Sequence, residues 1–262
     1  MAGVKPWADG PFALIPPSRT GDSKENRVTG TRLLAAEMSI VHNCILRGIN
    51  SVYVQCVNVA TSGSAKDKLD FANYAYRWYA MMQEHHDQEE EYVFPLIEEK
   101  AGVAGLMEAN VEEHKTFHDG LAAFSQYLES VTEEKEELDG GKLRAIMDSF
   151  VPGLRAHLDH EIDTFNGLDK YEDNADWVKV FKESTDKIVA KNMESVEYRQ
   201  RALPLMFLLH DKSYGEGVWE SFPPVPWVVR VVFQWLYMNK HWDWWRFAPC
   251  DFAGTPQELP FA

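Results

Sequence analysis

Apolar residues recur at the spacing of an amphipathic α-helix in four stretches of the chain, with polar residues between them. The pattern predicts helices over about residues 31–59, 65–99, 104–130 and 142–168, and a further helix over about 175–198. Ser64 and Asp67 resemble a capping box at the start of the second helix. Pro152 should bend the fourth helix or mark a boundary in it. We therefore expect an all-α fold in which four antiparallel helices form a bundle.

The pattern changes on both sides of these helices. Residues 1–28 are rich in Pro and Gly and predict an irregular N-terminal arm, whereas residues 29–170 hold the predicted bundle. Residues 171–262 contain the additional helix and a Trp/Pro-rich extension, with six of the nine tryptophans between Trp219 and Trp245. The apolar segment 226–238 suits either a membrane interface or packing on the bundle. We favour packing, because the tail is roughly neutral in charge.

Composition excludes several classes of partner. The net charge of −15 comes from 41 acidic and 26 basic residues, which argues against nucleic acid and anionic lipid as partners. No apolar run approaches the roughly 18 residues of a membrane span, and no basic region followed by an apolar run predicts a signal peptide. Three cysteines suit a reducing compartment. These features together predict a cytoplasmic location.

Histidine and glutamate residues interrupt the apolar stripes of all four predicted bundle helices. The candidates are His42 in the first helix, His86 and Glu90 in the second, His114 and His118 in the third, and His157 and Glu161 in the fourth. Each pair is four residues apart and so shares a helix face. His85 is out of phase and is expected outside the set. Taken singly, the acidic stretch also suits a solvated helix surface, and His42 also suits a hydrogen-bonded core residue.

The chemistry of this set favours metal. Five imidazoles and two carboxylates suit two borderline divalent ions, with iron as the first choice. Carboxylates can bridge the two ions, and a bridging hydroxide would balance most of their charge. Seven protein groups and one bridge leave a coordination position open for a small ligand such as O2. No histidine has a glutamate three residues before it, so the set lacks the Glu-x-x-His pairs of ferritin-like sites.

Four sequence motifs resemble the hemerythrin-like, or HHE cation-binding, proteins. They are His42-Asn43 with Arg47-Gly48, His85-His86-Asp87-Gln88-Glu89-Glu90, Glu113-His114-Lys115-Thr116-Phe117-His118-Asp119-Gly120 and His157-Leu158-Asp159-His160-Glu161. The resemblance covers about residues 30–170, and the tail is similar to that of fungal members. It implies an up-down four-helix bundle with a non-haem di-iron centre and an oxo or hydroxo bridge. The implied ligands are the seven candidates above, with Glu90 and Glu161 bridging.

One departure bears on function. In the oxygen-carrying hemerythrins the last carboxylate is an Asp five residues after its His, whereas here Glu161 lies four residues after His157 and position 162 is Ile. The family also includes proteins proposed to sense oxygen, bind iron or handle nitric oxide. Two functions are therefore predicted. The first is reversible binding of O2, NO or iron as a sensor, store or carrier; the alternative is a di-iron oxidase or oxygenase acting on a small organic substrate.

Overall fold

The computed structural model describes residues 7–262, and within that range the chain is helical with no β-strand. The helices are α1 (Thr31–Ser62), α2 (Ala65–Gln88), α3 (Phe94–Ala101), α4 (Glu108–Thr132), α5 (Gly140–Asn166), α6 (Trp177–Asn192), α7 (Leu203–Leu208), α8 (Trp227–Leu236) and α9 (Trp242–Trp245). In residues 7–262, none of these helices is both long and apolar enough to cross a membrane.

Four helices form the bundle that the apolar pattern predicts. Helix α1 packs against α2 and α5, and α4 packs against α2 and α5, so the four helices occupy the corners of a square. This confirms the predicted all-α bundle. Close approach of α1 and α2 depends on Gly48, because a Cβ atom there would lie 2.2 Å from Cδ1 of the buried Trp78. The capping box of Ser64 and Asp67 begins α2 as expected.

The second predicted helix is interrupted where the sequence suggested continuity. A π-helical turn, Glu89–Val93, separates α2 from α3, and the N–H of Phe94 donates to the Glu89 carbonyl five residues before it. Pro95 follows, and proline has no N–H to offer the carbonyl four residues earlier in an α-helix. A second π turn, Tyr198–Ala202, likewise precedes Pro204. Each π turn inserts one residue into the helix, and this insertion rotates the side chains that follow about the helix axis.

The fourth bundle helix is continuous. Helix α5 continues through Pro152. The proline therefore does not mark a helix boundary, which was one of the two outcomes expected for it. Asp139 begins the helix, because its side chain accepts hydrogen bonds from the backbone N–H groups of Gly141 and Lys142. The helix therefore keeps one phase over its full length, and His157 and Glu161 face the bundle interior together.

The N-terminal arm lies along α1 from residue 7 onward. The Asn43 side chain accepts a hydrogen bond from the N–H of Ile15 and donates one to the Ile15 carbonyl. The Trp7 indole N–H donates to the Gln257 carbonyl at 3.0 Å. Arg47 of α1 is buried between the arm and the tail, 3.2 Å from an Asp9 oxygen. The arm, the first helix and the tail are thus held together at one place.

The aromatic tail divides into a buried and an exposed part. Trp245 and Phe247 are buried, and Phe247 stacks on Phe261 and meets Phe71 edge to face. By contrast, Trp227, Trp235 and Trp242 are 77%, 74% and 65% exposed. The expected packing of the tail aromatics on the bundle therefore does not extend to these three tryptophans.

Candidate metal centre

Five histidines and two glutamates from all four bundle helices meet in the interior. One group consists of His86, Glu89, His114 and His157, and the other consists of His42, His85, Glu89 and Glu161. Within each group the candidate donor atoms lie within 4.8 Å of one another. Because Glu89 belongs to both groups, the two form a continuous cluster rather than two separate sites.

The two glutamates lie between the groups. Glu89 places Oε1 2.9 Å from Nε2 of His85 and Oε2 3.8 Å from Nε2 of His114. Glu161 places Oε2 3.1 Å from Nε2 of His42 and 3.9 Å from Nε2 of His157. Each carboxylate therefore faces one imidazole of either group, which is the arrangement a carboxylate needs in order to bridge two ions.

Hydrogen bonds on the outer side of the cluster fix the tautomers of two histidines. The Nδ1–H of His42 donates to the Leu158 carbonyl at 2.9 Å, and the Nδ1–H of His157 donates to a Glu113 oxygen at 3.1 Å. In a neutral imidazole the proton on Nδ1 leaves a lone pair on Nε2. Metal-binding histidines characteristically donate their other N–H to a carbonyl or carboxylate in this way.

His114 shows the same arrangement and adds a second observation. Its Nδ1–H donates to an oxygen of Glu90 at 2.6 Å, so its Nε2 also carries a lone pair. That Nε2 lies only 3.1 Å from Nε2 of His157. Two lone pairs facing each other at this distance repel, and a cation bound to both would remove the repulsion.

Several polar atoms of the cluster are buried without any partner in hydrogen-bonding geometry. They are Nε2 of His42, His85 and His86 and both carboxylate oxygens of Glu89 and Glu161. Buried polar atoms are nearly always satisfied, so a concentration of seven in one place needs an explanation. Every one of these atoms is a metal-ligand type, and together they fit a centre that binds metal ions.

Burial sets the protonation of these groups. It lowers the pKa of all five imidazoles, to about 4 for His85 and about 2 for His157. The histidines are therefore neutral at pH 7 and have lone pairs available for metal. Burial also raises the pKa of Glu89 and Glu161 well above the usual value for glutamate, and their mutual repulsion adds to the shift of Glu161. A divalent cation would stabilise both carboxylates in their charged form.

The structure brings together five of the seven residues proposed from the sequence, namely His42, His86, His114, His157 and Glu161. It does not place Glu90 and His118 with them. The Glu90 side chain is 45% exposed and accepts the hydrogen bond from His114, so it orients an imidazole from outside the cluster. The His118 side chain is 73% exposed, and its Nδ1 lies 3.4 Å from an oxygen of the neighbouring Asp119.

Glu89 and His85 belong to the cluster, whereas the sequence predicted Glu90 and His118 as members. Glu89 lies four residues after His85 and three after His86, so the three share one helix face, and Nε2 of His85 is 2.9 Å from a Glu89 oxygen. The π turn that begins at Glu89 moves the next buried position from Val93 to Phe94. His85 faces α1, with its ring 5.4 Å from that of His42. The signal that could have revealed the turn is Pro95, which is incompatible with an undisturbed α-helix over the preceding residues.

Comparison with known proteins agrees with this geometry. Residues 35–168 match the model of the hemerythrin HHE cation-binding domain. The chain is 31% identical over 258 residues to the "dimeric xanthone biosynthesis cluster protein R11" of Cryptosporiopsis sp. (strain 8999), covering 98% of this chain and 94% of that protein. No solved structure matches. The cluster sits within the matched residues, and the chain belongs to the hemerythrin HHE cation-binding domain family.

Proposed function

We propose that the protein is a non-haem di-iron protein that takes up a small diatomic ligand, O2 or NO, reversibly at its buried cluster. The observation that carries the proposal is the pair of donor groups sharing Glu89, in which seven imidazole and carboxylate atoms are buried without a hydrogen-bond partner. Nitrogen-rich sites that contain carboxylates suit iron among the borderline metals. Glu89 and Glu161, which face both groups, would bridge the two ions.

The small number of protein donors favours a small ligand. Each group contains only four protein residues, so each ion would keep coordination positions that no protein group fills. Non-haem iron sites that bind gases keep such positions open. The chain surrounds these positions closely, because His42 and Glu161 are fully buried and His86 and His114 are only 5% and 8% exposed. A cavity of about 690 Å³ lies instead against the aromatic tail, lined by residues such as Trp227, and touches none of the cluster residues.

The protein groups around the cluster have separate roles in this proposal. Iron, when bound, supplies the reversible affinity for O2 or NO. Glu113 and Glu90 hold the Nδ1–H groups of His157 and His114 and so keep each Nε2 directed inward. Phe94 and Phe117, whose rings lie 6.0 Å from that of His114, are buried and exclude water on that side of the cluster. Exclusion of water protects a reactive centre from side reactions.

Metal analysis and spectroscopy test the proposal. Protein expressed with ample iron should contain about two iron ions per chain. Anaerobic reduced protein mixed with O2 should change its visible spectrum and return to the reduced spectrum when oxygen is removed, and NO should compete for the same change. A folded protein without iron would refute the metal proposal, and a ratio near one would show that one of the two groups does not bind.

A second function, oxidation of a small organic substrate by O2 at the same centre, is favoured by the relative named as a biosynthesis cluster protein. This function requires electrons for every turnover, whereas reversible binding requires none. Repeated oxygen consumption with a chemical reductant, dependent on an added phenolic compound and accompanied by an oxidised product, would establish it in place of reversible binding. Consumption at the same rate without the compound would indicate only autoxidation of the iron.

A further inference from the structure

Helix α8 is apolar and almost entirely exposed. Its sequence is Trp-Val-Val-Arg-Val-Val-Phe-Gln-Trp-Leu, and Phe233 is its one buried residue. Eight of the twelve large apolar side chains recorded as exposed in residues 7–262 lie between positions 227 and 242: Trp227, Val228, Val229, Val231, Val232, Trp235, Leu236 and Trp242. Such concentration is unusual, because exposed apolar residues are normally scattered singly and contiguous patches mark interaction sites.

The helix is attached to the body by a narrow contact. Phe233 packs on Phe207 and Tyr237, with ring centroids 6.0 and 5.0 Å apart. One face of the helix, with Trp227, Arg230 and Val231, lines the cavity of about 690 Å³, and Trp242 lines the same cavity. The other face is not covered by any described part of the chain, and it carries the exposed Val228, Val232 and Trp235.

Charge distinguishes this face from the rest of the molecule. Residues 221–242 contain no acidic residue, although the whole chain has 41 in 262 residues and a net charge of −15. Arg230 and the exposed Lys240 supply positive charge on the same segment. The first acidic residue after it, Asp243, is paired with Lys66 at 2.7 Å. The helix segment itself therefore presents no acidic side chain to phosphate groups, and the acids beside it in space, Asp251 and Glu258, line the cavity.

The residue types of the face and the charge of the chain favour a lipid surface over a second copy of the chain. A second copy would bring a further net charge of −15 to the contact, and charge of one sign on both partners opposes self-association. Tryptophan is the residue most characteristic of the boundary between headgroups and acyl chains, and three exposed tryptophans flank the valines.

We propose that α8, together with Trp242, is a peripheral docking surface for a phospholipid bilayer. Val228, Val232 and Trp235 enter the boundary between headgroups and acyl chains, and Lys240 contacts the phosphates. The helix lies in the plane of this boundary, because ten residues are too few to span a bilayer. Docking is independent of the metal centre, so protein with and without iron binds vesicles equally.

Sedimentation of the full chain with vesicles tests the proposal, using phosphatidylcholine vesicles with and without phosphatidylserine. The protein should bind both, because the apolar face drives insertion and the positive charge adds only a few-fold preference for the anionic vesicles. Val232→Glu should lower the partition coefficient about tenfold, since it replaces an inserted side chain by a charge. Val189→Glu on α6 is the matched control, as Val189 is 45% exposed and Val232 is 50% exposed; it should leave binding unchanged.

Three outcomes would overturn the proposal. The first is absence of binding to either kind of vesicle. The second is binding to anionic vesicles alone that high salt abolishes and that Val232→Glu does not alter, which would indicate surface attraction without insertion. The third is a dimer in analytical ultracentrifugation that Val232→Glu dissociates, together with no vesicle binding, which would assign the face to a second copy. Fluorescence quenching by lipids brominated on the acyl chain, reduced on Trp235→Phe, would support insertion directly.

Discussion

Replacing Glu89 by glutamine should raise the stability of the metal-free protein while abolishing the gain in stability that metal provides. Glu89 is 1% exposed, and neither of its carboxylate oxygens has a hydrogen-bond partner. Burial raises its pKa well above the usual value for glutamate, so the folded protein binds a proton there more tightly than the unfolded chain does. The charged form therefore lowers the free energy of unfolding when metal is absent.

The size of this effect has an upper limit. Below the unfolded-chain pKa of about 4.3 the carboxyl is neutral in both states and costs nothing, and each pH unit above it costs about 1.4 kcal/mol until the folded protein also loses its proton. At pH 7 the penalty cannot exceed about 3.7 kcal/mol. We expect Glu89→Gln to recover about 2 kcal/mol, which corresponds to a rise of roughly 4–8 °C in melting temperature for a chain of this size.

The assay is thermal unfolding followed by circular dichroism, in chelator and with iron, with elemental analysis of each sample. Metal at a hundred times its dissociation constant should stabilise the wild-type protein by about 2.7 kcal/mol for each site and should not stabilise Glu89→Gln. In chelator, the advantage of the variant should shrink as the pH falls toward 4.5, because the wild-type carboxyl takes up a proton. The contributions of the histidines are common to both proteins and cancel in the difference.

Glu90→Gln is the matched control, since it makes the same chemical change one residue away on a side chain that is 45% exposed. Its metal-free stability should stay within about 0.5 kcal/mol of wild type, and its metal affinity should fall by no more than about 10–100-fold. Loss of iron from Glu90→Gln with retention by Glu89→Gln would refute the placement of the cluster. Equal melting temperatures of the metal-free proteins at pH 7 would refute the electrostatic reasoning.

Three further predictions concern individual side chains. His85→Ala should lower the iron content of the purified protein, whereas His118→Ala should leave it at the wild-type value, because only His85 lies in the cluster. Gly48→Ala should lower the free energy of unfolding by about 1–3 kcal/mol in denaturant titrations, since its Cβ would overlap Trp78. Arg47→Ala should cost about 3 kcal/mol and increase proteolysis of the N-terminal arm, because it leaves the buried Asp211 without its cation and removes the contact of Arg47 with Asp9 of the arm.

The four bundle helices could be predicted because their apolar residues are spaced at one constant period. Helix α1, for example, buries Ile45, Ile49, Val52 and Cys56, the stripe that its sequence shows. The same reasoning failed where the period changes. A π turn has no apolar signature of its own, and only Pro95 indicates that the α-helical hydrogen bonding cannot continue undisturbed. The burial of Phe94 in place of Val93 follows from that one turn, whereas the burial of Glu89 follows from the inward position of His85 four residues before it.

His85 and His118, which the structure places differently from the sequence prediction, illustrate a different limit. The buried face of a bundle helix spans an arc of 100° or more, so adjacent residues such as His85 and His86 can both point inward on either side of its centre. His118 shows the reverse case. The buried positions of α4 are spaced alternately three and four residues apart, as at His114, Phe117 and Leu121. His118, one residue after Phe117, is not among them. A rule based on spacing of four residues could not distinguish the two situations.

The hydrogen bond between Trp7 and Gln257 joins positions 250 residues apart, and this separation affects the order of events during synthesis. At roughly 5–20 residues per second, about 12–50 seconds pass between the two residues. Glu161, the last member of the cluster, is made 96 residues before Gln257. All seven cluster residues therefore exist before the final anchor of the arm is made. The nascent bundle can therefore bring its cluster residues together before Trp7 gains its partner near the end of the chain.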